Sequence, residues 1–110
     1  MRNKMLLQKA IDTLPKTLIM GEMADGRGGV CAGGHLALVA GITEDELLEF
    51  ETYSFGHSYR TEITSRISKE YGMDWGDISE IVSTNDSFEE STRKARVLAL
   101  LHTMIGEDNA

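Results

Sequence analysis

With 110 residues, 41% of them hydrophobic and 26% charged, the chain has the size and balance of one globular domain rather than of a fibrous or disordered protein. A net charge of -7 at pH 7 disfavours general affinity for nucleic acid, which rests on clustered lysine and arginine neutralising phosphates. The single cysteine, Cys31, excludes an intramolecular disulfide, and the charged N-terminal stretch MRNKMLLQKAIDTLPK reads as neither a signal peptide nor a membrane span, so a reducing, cytoplasmic setting without a membrane is expected.

In chain order, MLLQKAIDTL places Leu7, Ala10, Ile11 and Leu14 on one helical stripe, and Pro15 ends it by lacking the amide the next turn needs. The run from Thr17 to Val30 has spaced apolar residues followed by Asp-Gly and Gly-Gly pairs, which predicts a short β-hairpin near residues 17–30. CAGGHLALVAG predicts a helix from about Cys31 to Ala40, apolar nearly all round and therefore central and buried, closed by Gly41. Thr43 with Glu46 forms a capping box ahead of a short amphipathic helix that carries Leu47, Leu48 and Phe50. Its outer face would hold the acidic run of Glu44, Asp45, Glu46, Glu49 and Glu51.

Ser58 is placed to cap a helix on which Tyr59, Ile63, Ile67 and Tyr71 recur every four residues before Gly72, leaving His57 in a loop. Asp74 and Asp77 open a short helical segment that presents Ile78, Ile81 and Val82. Asn85 and Asp86 then form a turn, and Ser87 with Glu90 makes a second capping box. The helix beyond has a stripe of Val97, Leu98, Leu101, Met104 and Ile105 and is stopped by Gly106, leaving 106–110 as a loose tail. The expected architecture is mainly α: a compact single domain, residues 1–110, of about five or six short helices.

The most unusual segment is DGRGGVCAGGH. Glycines ahead of a helix start let backbone amides converge where the helix dipole adds positive character, so Arg27, Gly28, Gly29, Cys31, Gly33, Gly34, Asn85 and Asp86 are the candidate ligand-binding residues, with a small anion or nucleotide-like group as the ligand. The segment lacks the Gly-Lys-Ser/Thr of a phosphate-binding loop and the GxGxxG dinucleotide pattern. A cysteine at a helix N-terminus is also where a thiolate is stabilised, and His35 follows four residues later on the same face. With His57 or Asp86 as orienting group, Cys31 and His35 supply the ingredients of a thiol-dependent hydrolase or transferase. Against this stands the simpler use of a lone cysteine among small residues as core packing, and of His35 as a hydrogen-bonded core histidine. Scattered His35, His57 and His102 give no metal-ligand spacing, so neither metal nor cofactor is expected.

Leu7, Lys9, Ala10 and Leu14, then Cys31, Ala32, Gly34 and Leu36, then Asn85 and Asp86 ahead of Val97, Leu98 and Leu101, together resemble a family of small bacterial and phage proteins without assigned activity. That resemblance implies a compact helical fold and a phage setting in which small acidic proteins act on host machinery. The pattern usually has a small residue where this chain has His35, which weighs against a Cys31–His35 pair. The leading expectation is therefore a non-enzymatic binding protein that engages a host protein, through Glu44, Asp45, Glu46 and Glu49, or a small ligand. The alternatives are thiol chemistry at Cys31 and an anion held at the glycine turn. Met5, Met20, Met23, Met73 and Met104 are soft apolar side chains suited to core filling or to a homodimer contact.

Overall fold

Six α-helices account for the regular structure in the computed structural model, which describes residues 2–52 and 57–108, with side chains described for all of these except 50–52, 57–61 and 108. The first, α1 (Lys4–Asp12), is capped by Asn3, whose Oδ1 accepts from the Leu6 amide, and its Leu7–Ala10–Ile11 stripe is buried. It stops at Asp12, one turn before Pro15, because the Thr13 hydroxyl and amide both turn back to the Lys9 carbonyl. Helix α2 (Ala32–Val39) is the central element, with Ala32 through Ala37 all buried, and it packs on α1, α4 and α5. Gly41, at φ +97°, closes it in the left-handed region that only glycine enters cheaply.

The capping box of α3 (Glu44–Thr52) forms as the sequence predicts: Glu46 Oε2 accepts from the Thr43 amide at 2.8 Å, and Thr43 Oγ1 accepts from the Glu46 amide at 3.2 Å. Helix α4 (His57–Tyr71) buries Ile63, Ile67 and Tyr71 and ends at Gly72 with φ +64°. Because α4 already begins at His57, His57 is not in a loop and Ser58 lies inside the helix instead of capping it. The side chains of His57, Ser58, Tyr59, Phe50 and Glu51 fall outside the described residues, as do the tail residues Asn109 and Ala110.

Helix α5 (Trp75–Ser87) is capped by Asp74, as expected, but is longer than its apolar pattern implies. It runs through Asn85, Asp86 and Ser87, so there is no Asn–Asp turn and no Ser87–Glu90 capping box; the Ser87 hydroxyl instead donates to the Ser83 carbonyl within the helix. The break comes at Phe88, which is extended, and α6 (Glu90–Asp108) follows along α5 and α1. Val97, Leu101 and Met104 are buried as predicted, whereas Gly106 sits inside α6 and does not stop it. Arg2 ties the start of the chain to the last two helices through a two-point contact with Asp77 and a bond to the Met104 carbonyl.

The predicted hairpin is absent among the described residues. Segment 14–31 is irregular, bending at several points, and its ladder is one isolated bridge, Ala24 to Val30, with flanking bonds from the Ile19 amide to Val30 and from the Cys31 amide to Met23. Its remaining backbone groups find side chains from the helices: Lys94 donates to the Leu14 carbonyl, Arg93 to Leu18, and Asn85 to Ile19. A second strand is unnecessary where helices supply the partners that every buried backbone group requires. Leu18, Met23, Ala24 and Val30 fix the segment to the core.

Candidate functional site

The glycine turn is filled from within. Asp25 Oδ1 accepts from the Arg27 amide at 2.8 Å and from the Gly29 amide at 2.9 Å, while the Asp25 amide donates to the Gly29 carbonyl. Those amides, and secondarily the Arg27 charge, hold the Asp25 carboxyl below its usual range. Gly26 and Gly28 take positive φ, and a side chain at Gly29 would meet Asp25 Oδ2. The concavity that sequence alone offers to an external anion therefore already holds one belonging to the chain.

At the α2 N-terminus the amides are similarly engaged. Cys31 is the N-cap, its Sγ accepting from the Gly34 amide at 3.4 Å, and Asn85 Oδ1 accepts from the Ala32 amide at 2.9 Å. Asn85 is wholly buried, and its Nδ2 donates to the Ile19 carbonyl and to Asp86 Oδ1, so one side chain joins α5, α2 and segment 14–31. Asp86 Oδ1 also accepts from the Gly21 amide. Asn85, not Asp86, closes the Cys31 turn. Gly34 is required there because a Cβ would lie 1.9 Å from the Met23 carbonyl oxygen.

His35 faces the end of α1 and not a substrate space. Its Nε2 lies 2.9 Å from the Ala10 carbonyl and 3.1 Å from Thr13 Oγ1, whose own proton goes to Lys9. A carbonyl only accepts, so Nε2 carries the hydrogen and shares it between two oxygens. Burial lowers the His35 pKa, opposed by the Ala10 bond, and keeps the ring neutral. His35, one candidate base for Cys31, is thus committed to packing α2 on α1. Cys31 itself is 5% exposed. His102 is exposed on α6, and among the described residues no three His, Cys, Asp or Glu side chains come together as a metal site.

Sequence reading misses Arg93. It is buried on α6, donating to the Leu18 and Phe88 carbonyls, and its Nε has no hydrogen-bond partner. The signal was present: residue 93 continues the Val97–Leu101 stripe one turn back, an arginine where the period demands an apolar residue.

An open cleft of about 390 Å³ lies beside the Cys31 turn. Its floor is Met23, Cys31, Ile78 and Val82; its rim carries Glu22, Thr64, Ser79, Ser83 and Asp86; and Trp75, 67% exposed, stands at one end. Trp75 and Thr64 also line a second recess of about 310 Å³ with Ser65, Ser68 and Lys69, so the two form one trough across α4 and α5, with the indole as a ridge. Of the predicted residues, Cys31 and Asp86 reach this trough. Exposed Arg27 and Gly28 and half-buried Gly29 belong to the self-filled turn, and Gly33 lies beneath the floor, near Val82 and Met23. On α3, Glu44, Asp45 and Glu49 are exposed, while Glu46 is engaged by the capping box and by Arg66 at 2.8 Å, first the Thr43 amide and then the guanidinium holding its pKa down. No described helix is long and apolar enough to cross a membrane. No family model, no curated protein and no solved structure matches this chain.

Proposed function

We propose that the protein is a non-enzymatic binding module whose binding surface is the trough beside the Cys31 turn. The observation that carries this reading is the trough's make-up: an apolar floor about the size of a small ligand or a few side chains, a polar rim, and an exposed tryptophan at its centre, on a scaffold whose His35 and turn amides are otherwise engaged. Large exposed aromatic side chains beside a recess are the usual anchors of recognition surfaces. The resemblance to bacterial and phage proteins favours a host protein as the partner, and the exposed Glu44, Asp45 and Glu49 of α3 would add long-range attraction for a basic one.

The test uses an uncharged apolar dye, N-phenyl-1-naphthylamine. It should bind saturably near Trp75, with energy transfer from the indole, and Ser79→Lys, an exposed change that places a long charged side chain over the floor, should weaken binding severalfold without altering the helical circular dichroism. Absence of saturable binding, or binding indifferent to Ser79→Lys, sinks the proposal.

A further inference from the structure

The charges around the trough are distributed unevenly. Among the described residues, Glu22 and Asp86 are the charged ones lining the larger recess, both acidic and both exposed, whereas Lys69 is the charged one of the smaller recess beyond Trp75. Asp86 is held in place, its Oδ1 accepting from the Gly21 amide and from Asn85 Nδ2, so its carboxylate is positioned on the rim rather than swinging freely in solvent. Between the acidic end and the indole lie the apolar side chains of Met23, Ile78 and Val82. From this arrangement, and resting on the binding role proposed above, we infer that the trough takes an extended peptide segment of a basic partner protein: a lysine or arginine at the Glu22–Asp86 end, followed by an apolar side chain in the larger recess, with the chain crossing Trp75.

Three physical points select this occupant. An apolar floor with two carboxylates at one end favours a cation attached to an apolar group, and the net charge of -7 draws such a partner in from a distance. A trough that continues past Trp75 into a second recess is longer than one side chain, which suits a chain with alternate side chains on one face. An exposed indole offers a large flat apolar face to the peptide as it crosses. Lys69 opposes a uniformly basic strand, so the positive charge belongs at one end only.

Trp75 is the only tryptophan in the chain and therefore reports on its own site. The probes are acetylated, amidated pentapeptides containing one lysine followed by leucine and phenylalanine, with counterparts carrying glutamine or glutamate in place of lysine. Titrated at low salt, the lysine peptide should shift Trp75 emission to the blue and bind about threefold to fivefold more tightly than the glutamine peptide, the span expected for a rim ion pair. The glutamate peptide should bind more weakly still. In Asp86→Asn, which keeps the acceptor for Gly21, and in Glu22→Gln, the lysine advantage should shrink, as it should at high salt. Equal binding of the three peptides, or a lysine advantage unchanged in both variants, overturns the inference and leaves the binding role intact. No response to any peptide at millimolar concentration also overturns it, and the naphthylamine dye then separates the two claims: saturable dye binding keeps the trough as a binding site, and its absence removes both.

Discussion

Asn85 holds the molecule together at the scale of a single side chain. It accepts from the buried Ala32 amide and donates to the part-buried Ile19 carbonyl from a fully buried position, so truncation removes partners from two backbone groups and opens a void. Asn85→Ala should cost about 2–4 kcal/mol, combining the desolvation of the orphaned groups with the cavity. Asp86→Asn, next to it but exposed and still able to accept from Gly21, should change stability by less than about 0.5 kcal/mol. Urea unfolding of both variants checks this; equal losses would show that Asn85 has no special part. The contrast could not be read from the sequence, where Asn85 and Asp86 look alike as turn formers. Only the end of α5, one turn later than its apolar pattern suggests, turns Asn85 inward and Asp86 outward.

Among the elements, α2 shows how two adjacent glycines come to differ. A Cβ on Gly34 would fall 1.9 Å from the Met23 carbonyl oxygen, a backbone atom that can yield only if segment 14–31 moves. A Cβ on Gly33 would lie 3.4 Å from Val82, 3.5 Å from Met23 and 3.7 Å from Cys31, which is ordinary contact. Gly34→Ala should therefore destabilise by more than about 3 kcal/mol, whereas Gly33→Ala should be neutral or stabilising by up to about 1 kcal/mol through helix propensity. Thermal unfolding of the pair decides it, and a similar loss in both would refute the close approach at Gly34. The helices themselves were legible wherever a stripe and a cap coincided: Thr43 with Glu46, Asp74 ahead of Ile78 and Ile81, and Gly41 and Gly72 at helix ends. Ser87 and Ser58 misled because a serine inside a helix has the same local spelling as a cap, and tertiary packing decides between them.

At the scale of the whole molecule, stability should depend on pH through the contact between α1 and α2. His35 is neutral in the fold because burial lowers its pKa below the ordinary 6.5, so the unfolded chain takes up a proton at a pH where the folded one does not. The stability tied to this histidine is complete above about pH 6.5 and falls as pH drops through the lowered value. In His35→Gln, which retains an amide donor for the Ala10 carbonyl, the fall that sets in below about pH 6.5 should flatten. Chemical denaturation across that range measures it, and an unchanged slope would assign the effect elsewhere. The Asp25 and Glu46 carboxyls are held below their usual values, so their loss belongs to more acidic solution. The mainly helical class could be read from sequence because it is local, whereas the trough could not: Met23, Cys31, Thr64, Val82 and Asp86 share no period, and only the folded chain makes them neighbours.

Segment 14–31 also bears on the chain entropy of folding. Its fastenings to Arg93, Lys94 and Asn85 span 75, 80 and 66 residues, separations whose closure costs more chain entropy than the local bonds within a helix. The stretch carries Glu22 and Met23, one wall of the trough, so a bound partner that pins it would add to the stability of the folded chain.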